Sequence, residues 1–143
     1  MSGKRRSSCP AACALDIAGD KWTLLVVRDL LCGRHTFKEL LAADEGIPTN
    51  ILADRLKRMA AAGLIEAKPY QDRPVRYAYT LTKKGRGLER VLVAVALWGK
   101  THIPGTRIAP AFRKARCPGA ISRAPGSWRW LHGRPRRRGC APA

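Results

Sequence analysis

The chain has 143 residues and a formal net charge of +18, from 28 Lys/Arg set against 10 Asp/Glu. That length holds one domain and a tail, and that charge calls for a polyanionic partner, of which nucleic acid is the commonest. The longest apolar run, residues 91–98, is eight residues, far short of the ~18–20 needed to cross a bilayer. No secretory apolar core follows Lys4, Arg5 and Arg6, so a cytoplasmic protein without a membrane partner is expected.

The charge is uneven. Residues 1–103 carry 18 Lys/Arg and all 10 acids, a net +8, whereas residues 104–143 carry 10 Lys/Arg, no acid, six Pro and five Gly. The second segment has few aliphatic residues and no periodicity, so it cannot bury enough apolar surface to offset chain entropy, and a disordered basic tail is expected. Three parts follow: a basic arm (1–8), a folded domain (9–103) and the tail (104–143). The five cysteines, at 9, 13, 32, 117 and 140, are odd in number and irregular in spacing, which argues against a disulfide scaffold.

In chain order, Cys9-Pro10 opens a short helix that ends at Gly19. Asp20 is placed to cap a second helix from Lys21 to about Leu31, where Trp22, Leu25, Val26 and Leu30 share one face and Leu24, Val27 and Leu31 widen it. So broad an apolar surface predicts burial on more than one side. Thr36 with Glu39 three positions on is a capping box for a third helix, whose inner side is Phe37, Leu40 and Leu41. After a turn over 44–48 comes a fourth helix with Thr49 as its cap. Leu52, Leu56 and Met59 form its buried stripe, Asn50, Asp54, Lys57 and Arg58 lie largely outside it, and Gly63 is its stop. Two short helices joined by a tight turn, the second presenting Asn and cations to solvent, make a helix-turn-helix suited to a major groove. Taken alone, the fourth helix is equally an ordinary surface helix with a solvated charged face.

Beyond Gly63 the period becomes two. Ile65, Ala67 and Pro69, then Val75, Tyr77, Tyr79 and Leu81, alternate with polar or small residues around QDRP (71–74), a hairpin with one apolar face and Arg73 and Arg76 at its tip. Directly after a helix-turn-helix, such a ribbon is a wing. Thr82 then caps one long last helix over 83–100. The apolar run at 91–98 surrounds that helix, and a domain this small has material to cover only one side. A homodimer using Trp22, Leu92, Val95 and Trp98 is the economical expectation; a central core helix in a monomer is the alternative. The fold class is therefore mainly α with a two-stranded β-hairpin: a dimeric winged helix-turn-helix with a disordered basic C-terminal tail.

At residue level the chain resembles the HxlR-type (MarR-like) bacterial transcriptional regulators. Cys9-Pro10, GDKWTLLVVRDLL (19–31), FKEL (37–40), IPTNILADRLKRMAAAGLI (47–65), YAYTLTKKG (77–85) and Trp98-Gly99 carry the resemblance in order over about 95 residues. It implies a homodimer on a pseudo-palindromic double-stranded DNA operator, acting as repressor or activator, with repression expected here. Some members sense oxidants or electrophiles through an N-terminal cysteine, which matches Cys9. The position before Phe37 is usually Arg in the family and is Thr36 here, so Arg34 or His35 are substitutes for that contact.

Thr49, Asn50 and Ile51 begin the fourth helix, where side chains reach base edges first. A bidentate Asn50–adenine pair is worth ~1–3 kcal/mol of discrimination, although Asn50 also has the chemistry of a cap. Arg34, His35, Thr36, Arg55, Lys57, Arg58, Arg73 and Arg76 are candidate backbone contacts, because phosphate contacts outnumber base contacts. Arg55 has a structural alternative in Asp54 or Glu39, and the wing cations have one as a solvated tip. Cys9 precedes a proline at a helix start near Lys4–Arg6, surroundings that favour thiolate and a thiol-reactive small-molecule effector; a cysteine packed beneath the first helix is the alternative. Cys9 and Cys13 lack the second pair a zinc site requires, and no motif for catalysis or a cofactor stands out. Two rivals remain: a basic protein that coats nucleic acid or associates with RNA, and a small redox enzyme, the latter weakened by the missing CxxC.

Overall fold

A computed structural model describes residues 6–107. Helices α1 (Pro10–Ala18), α2 (Thr23–Leu31), α3 (Phe37–Leu41) and α4 (Thr49–Ala61) precede strands β1 (Ile65–Asp72) and β2 (Val75–Leu81). Helices α5 (Lys83–Arg86) and α6 (Glu89–His102) follow. Most of the arm at 1–8 and of the tail at 104–143 lies outside the described residues.

Helix α2 is the centre of the domain. Val26, Val27 and Leu30 on α2 join Leu40 of α3, Ile47 of the turn, Leu52, Leu56 and Met59 of α4, and Leu64 and Ile65 at the start of the hairpin in one core. Burial of each large aliphatic side chain contributes roughly 1.5–3 kcal/mol, so the stripe Leu52, Leu56 and Met59, no more than 3% exposed, is what holds α4 to the body. Phe37 and Leu41 flank Leu40 as partly buried neighbours, and Thr36 with Glu39 forms the expected capping box at the start of α3.

Helix boundaries depart from expectation in three places. Helix α2 begins at Thr23 rather than Lys21, so Trp22 and not Asp20 holds the N-cap; Asp20, two residues earlier, accepts the N–H groups of Trp22 and Thr23 at 2.9 and 3.1 Å and the Thr23 hydroxyl. Thr49 does not cap α4. It is the first helical residue, Pro48 occupies the N-cap, and no side chain caps that end, because the extended backbone of Pro48 (ψ 142°) already sets the entry. The single long helix over 83–100 is two helices. Thr82 does cap, accepting from the Gly85 N–H at 3.1 Å, but α5 stops after one turn and α6 starts at Glu89. Two glycines in KKGRG weaken helix propagation there, and Gly85 is pressed so closely on the hairpin base that a Cβ would lie 2.0 Å from the Leu64 carbonyl oxygen.

The far end of α4 closes in a Schellman turn. Gly63 adopts φ +70°, its N–H donates to Ala60 and that of Leu64 to Met59. Residues 82–85 then bind this end. The Thr82 hydroxyl donates to the Gly63 carbonyl at 2.7 Å and Lys84 Nζ to that of Ala62 at 2.6 Å, while the Thr82 N–H donates to Leu64 at 3.0 Å.

Strands β1 and β2 pair antiparallel, Ile65 with Leu81, Ala67 with Tyr79 and Pro69 with Tyr77; a register shift between Pro69 and Gln71 leaves Tyr70 as the extra residue. Only the base of the expected apolar face is covered. Ile65 is buried and Tyr79 and Leu81 partly so, while Val75 and Tyr77 stand exposed. The loop before α3 ties to this ribbon, with Thr36 bridging Ala78 and the Tyr79 N–H donating to His35 at 2.7 Å. In α6, Leu92 is buried within its own chain, which corrects its assignment to a dimer surface: it lies on the inner side of the helix, where α6 meets α2. Trp22 likewise packs partly buried against the core, with Lys21 Nζ 4.6 Å from its ring centroid.

Candidate nucleic-acid interface

With Leu52, Leu56 and Met59 directed inward, α4 presents Thr49, Asn50, Lys57 and Arg58 to solvent and leaves Asp54 partly exposed. The Asn50 carboxamide makes no hydrogen bond within the described residues and the N-cap belongs to Pro48, so its donor and acceptor stay available. Ile51, expected beside it as a base contact, is instead partly buried against the core.

The arginines near this surface play unlike roles. Arg55 Nη1 lies 3.2 Å from Asp20 Oδ2 and Nη2 lies 3.4 Å from Asp54 Oδ2. Its side chain is 21% exposed and Nε is buried without a partner. Arg55 is thus a brace joining α4 to the start of α2, not a free phosphate contact: its guanidinium is already divided between two carboxylates. Asp54 is one of the two partners expected from the sequence, whereas Asp20 takes the place of Glu39. Burial pushes the Asp20 carboxyl upward, but the Thr23 hydroxyl, the Trp22 and Thr23 N–H groups and the Arg55 charge together hold it below its usual value. Arg58 pairs with Asp54 at 2.9 Å and is 67% exposed.

Arg34 leans back on Asp29, 3.3 Å away. Asp29 is buried in α2 and also accepts from Arg28 Nε and Nη2 at 3.0 and 2.8 Å. Burial raises the Asp29 carboxyl even against these two guanidiniums, while Arg28 is held firmly charged, first by Glu45 of the turn before α4. The Arg28–Glu45 pair is a fork in which Nη2 donates to Oε2 at 2.7 Å. This cluster fixes the α2–α3–turn geometry. Thr36 and His35, both expected at the backbone, are engaged locally. Thr36 accepts from the Glu39 N–H at 3.3 Å, and His35 Nδ1 lies 3.0 Å from the Tyr79 carbonyl, which selects the tautomer protonated at Nδ1. The Glu39 carboxylate accepts the N–H groups of Thr36 and His35 at 2.8 Å each and is lowered by them, Thr36 first. At the wing, Arg73 sits in the two-residue turn and Arg76 opposite Gln71; both are exposed, and Gln71 Nε2 donates to the Arg73 carbonyl at 3.0 Å.

Cys9 is exposed and occupies the N-cap of α1, not a packed position beneath it. Cys13, one turn on, donates its thiol to the Ser7 carbonyl at 3.1 Å. Arg6 is committed to Asp16 at 2.7 Å. No three His, Cys, Asp or Glu side chains cluster as a metal site, and no helix is long and apolar enough to cross a membrane, among the described residues.

Sequence reasoning missed the Asp20–Arg55 tie and the Asp29–Arg34–Arg28–Glu45 cluster. Pairs 17 and 35 residues apart leave no periodic trace. It also passed over Lys38, exposed on α3, and Tyr70 and Tyr77, exposed on the wing.

Residues 17–107 match the HxlR-like helix-turn-helix family. The chain belongs to that family. Among HxlR-like relatives, an HTH-type transcriptional regulator of Mycobacterium tuberculosis is 37% identical over 91 residues, 64% of this chain and 57% of that one; the chain thus spans under three-fifths of that relative's length. The solved structure of the redox regulator HypR in its oxidised form is 27% identical, with a TM-score of 0.60 over 71% of this chain and all of that one. The reduced form of the transcriptional regulator YodB from Bacillus subtilis is 28% identical, with a TM-score of 0.57 over the same shares. The relatives it matches are transcriptional regulators with a helix-turn-helix.

The brace and the exposed pair should separate on mutation. Arg55→Ala is expected to lower the unfolding free energy by about 1–3 kcal/mol, since Asp20 loses a half-buried partner, whereas Arg58→Ala should stay within ~0.5 kcal/mol. Urea unfolding of both variants measures this; equal losses would show that Arg55 is no brace.

Proposed function

We propose that the protein is a sequence-specific, double-stranded DNA-binding transcriptional regulator that works as a homodimer in the cytoplasm. The observation that carries this is the uncommitted Asn50 on the exposed face of a rigidly braced α4, with Lys57 and Arg58 further along it and the hairpin bearing Arg73 and Arg76 following directly. Asn50 with Thr49 reads base edges, while Lys57, Arg58, Arg73 and Arg76 bind phosphate or the minor groove. Occupying a promoter excludes the transcription machinery, so repression is the simplest outcome.

The dimer rests on α6. Val91, Val95 and Trp98 recur at spacings of four and three on one exposed stripe, 48–60% accessible, alongside the buried Leu92. Trp98 stacks on His102 at 4.8 Å, which extends the stripe by one turn. Leu15 and Ile17 of α1 are exposed as well. A second copy supplies the same apolar stripe, and two-fold pairing would set two α4 helices in successive major grooves. The Cys9 thiol, exposed and with Cys13 one turn away, is the proposed response site for an oxidant or thiol-reactive small molecule. A disulfide from Cys9 to its copy or to Cys13 would shift the half-site spacing. The redox regulator HypR among the similar structures favours this reading.

Binding selection from random duplexes should return an inverted repeat with half-sites one helical turn apart, preferred by ~10³-fold or more over random DNA. Preference for no sequence would indicate the rival, a nucleic-acid-coating protein. Asn50→Ala should relax preference at one position per half-site, and a uniform loss on all sequences would refute base reading by Asn50. Val95→Glu should sediment as a monomer and lose at least ~10-fold in operator affinity; an intact dimer would remove α6 from the interface. Treatment with peroxide or a quinone should change operator binding in the wild type but not in Cys9→Ser, and a retained response in that variant would exclude Cys9 as the sensor.

A further inference from the structure

An acid stands in the middle of the surface offered to a polyanion. Asn50, Asp54 and Arg58 are spaced by four and so occupy successive turns of one stripe of α4. Asp54 Oδ2 lies 2.9 Å from Arg58 Nε in an ion pair and 3.4 Å from Arg55 Nη2. Its side chain is 45% exposed. Stability is a weak reason for it to be there. An exposed i,i+4 pair adds little to a fold, and Arg55 has a second carboxylate partner in Asp20, 3.2 Å away.

A carboxylate and a phosphate present the same geometry to a guanidinium. Arg58 therefore already holds an intramolecular stand-in for the DNA backbone, and any phosphate must displace it while approaching a negative charge within a Debye length. This penalty falls on every duplex. It is relieved only where the major groove offers a hydrogen-bond donor to the carboxylate, and the N4 amino group of cytosine is the donor that Asp accepts from.

We infer that Asp54 is a specificity-determining residue that withholds Arg58 from generic phosphate contact and releases it where a cytosine amino group takes its place. This rests on the proposed DNA-binding role and adds a repulsive element to it, the kind of device by which discrimination is raised at the expense of raw affinity.

The test compares wild type, Asp54→Asn, Arg58→Ala and the double variant on a random duplex and on the operator selected by the wild type, across a salt series. Asp54→Asn should tighten binding to the random duplex by about 3–10-fold and steepen its salt dependence by about one unit, as one phosphate contact is gained. Operator affinity should gain less, so the specificity ratio falls. In the Arg58→Ala background, the Asn substitution should leave the slope unchanged. Asp54→Ala should act in the same sense, and thermal melting should show both variants folded. The inference is overturned if wild type binds DNA but Asp54→Asn leaves random-duplex affinity and slope unchanged. It is equally overturned if the gain persists in full without Arg58. A wild-type chain that binds no duplex would instead overturn the DNA-binding role itself, and the inference with it.

Discussion

The seating of α4 on α2 is the constraint from which the rest of this domain takes its shape. Leu52, Leu56 and Met59 provide the burial and set which face of the helix turns outward. Charge adds a second tie, because Arg55 reaches from the flank of α4 to the Asp20 carboxylate that accepts N–H groups at the start of α2. Asp20 does two jobs with one side chain. It satisfies the first N–H groups of the central helix and anchors the helix that faces outward. Only with α4 so fixed do Asn50 and Arg58 keep a constant aspect to solvent.

The second source of rigidity is polar and lies around Asp29. A buried carboxylate is unfavourable unless its lone pairs are taken up, and here two guanidiniums supply the donors, one of which forks onward to Glu45. The turn between α3 and α4 is short and carries little apolar material beyond Ile47. Its conformation is secured by this chain of charge-assisted bonds together with the burial of Ala43 and Ile47.

Much of this architecture is legible in the sequence because it is local. The capping box at Thr36, the stripe at Leu52, Leu56 and Met59, the stop at Gly63 and the change to period two at Ile65 each follow from neighbours a few residues apart, and the structure shows all four. What the sequence hides is long-range. Nothing near Arg55 reveals that its partner is Asp20, so a cation on a helix flank reads as a phosphate contact when it is a brace. Leu92 and Val95 sit in one apolar run, and only the docking of α6 on α2 separates the inward residue from the outward one. The close approach of Gly85 to the Leu64 carbonyl, which admits no side chain at that position, pairs residues 21 apart and is equally hidden. Which side chains would touch DNA is legible only as a set of exposed residues, since accessibility narrows the candidates without choosing among bases.

The junction at residues 82–85 carries a mechanical consequence. One turn of helix, linked through Gly87 and Leu88 to α6, grips the terminal carbonyls of α4 through the Thr82 hydroxyl and the Lys84 ammonium, while Gly85 leaves no slack against Leu64. Any tilt of α6 that takes this turn along must therefore drag the tail end of α4 or snap those bonds. Gear and shaft are coupled here by three short polar links, so a disturbance where subunits meet would travel to the reading head from behind, without crossing the hydrophobic centre.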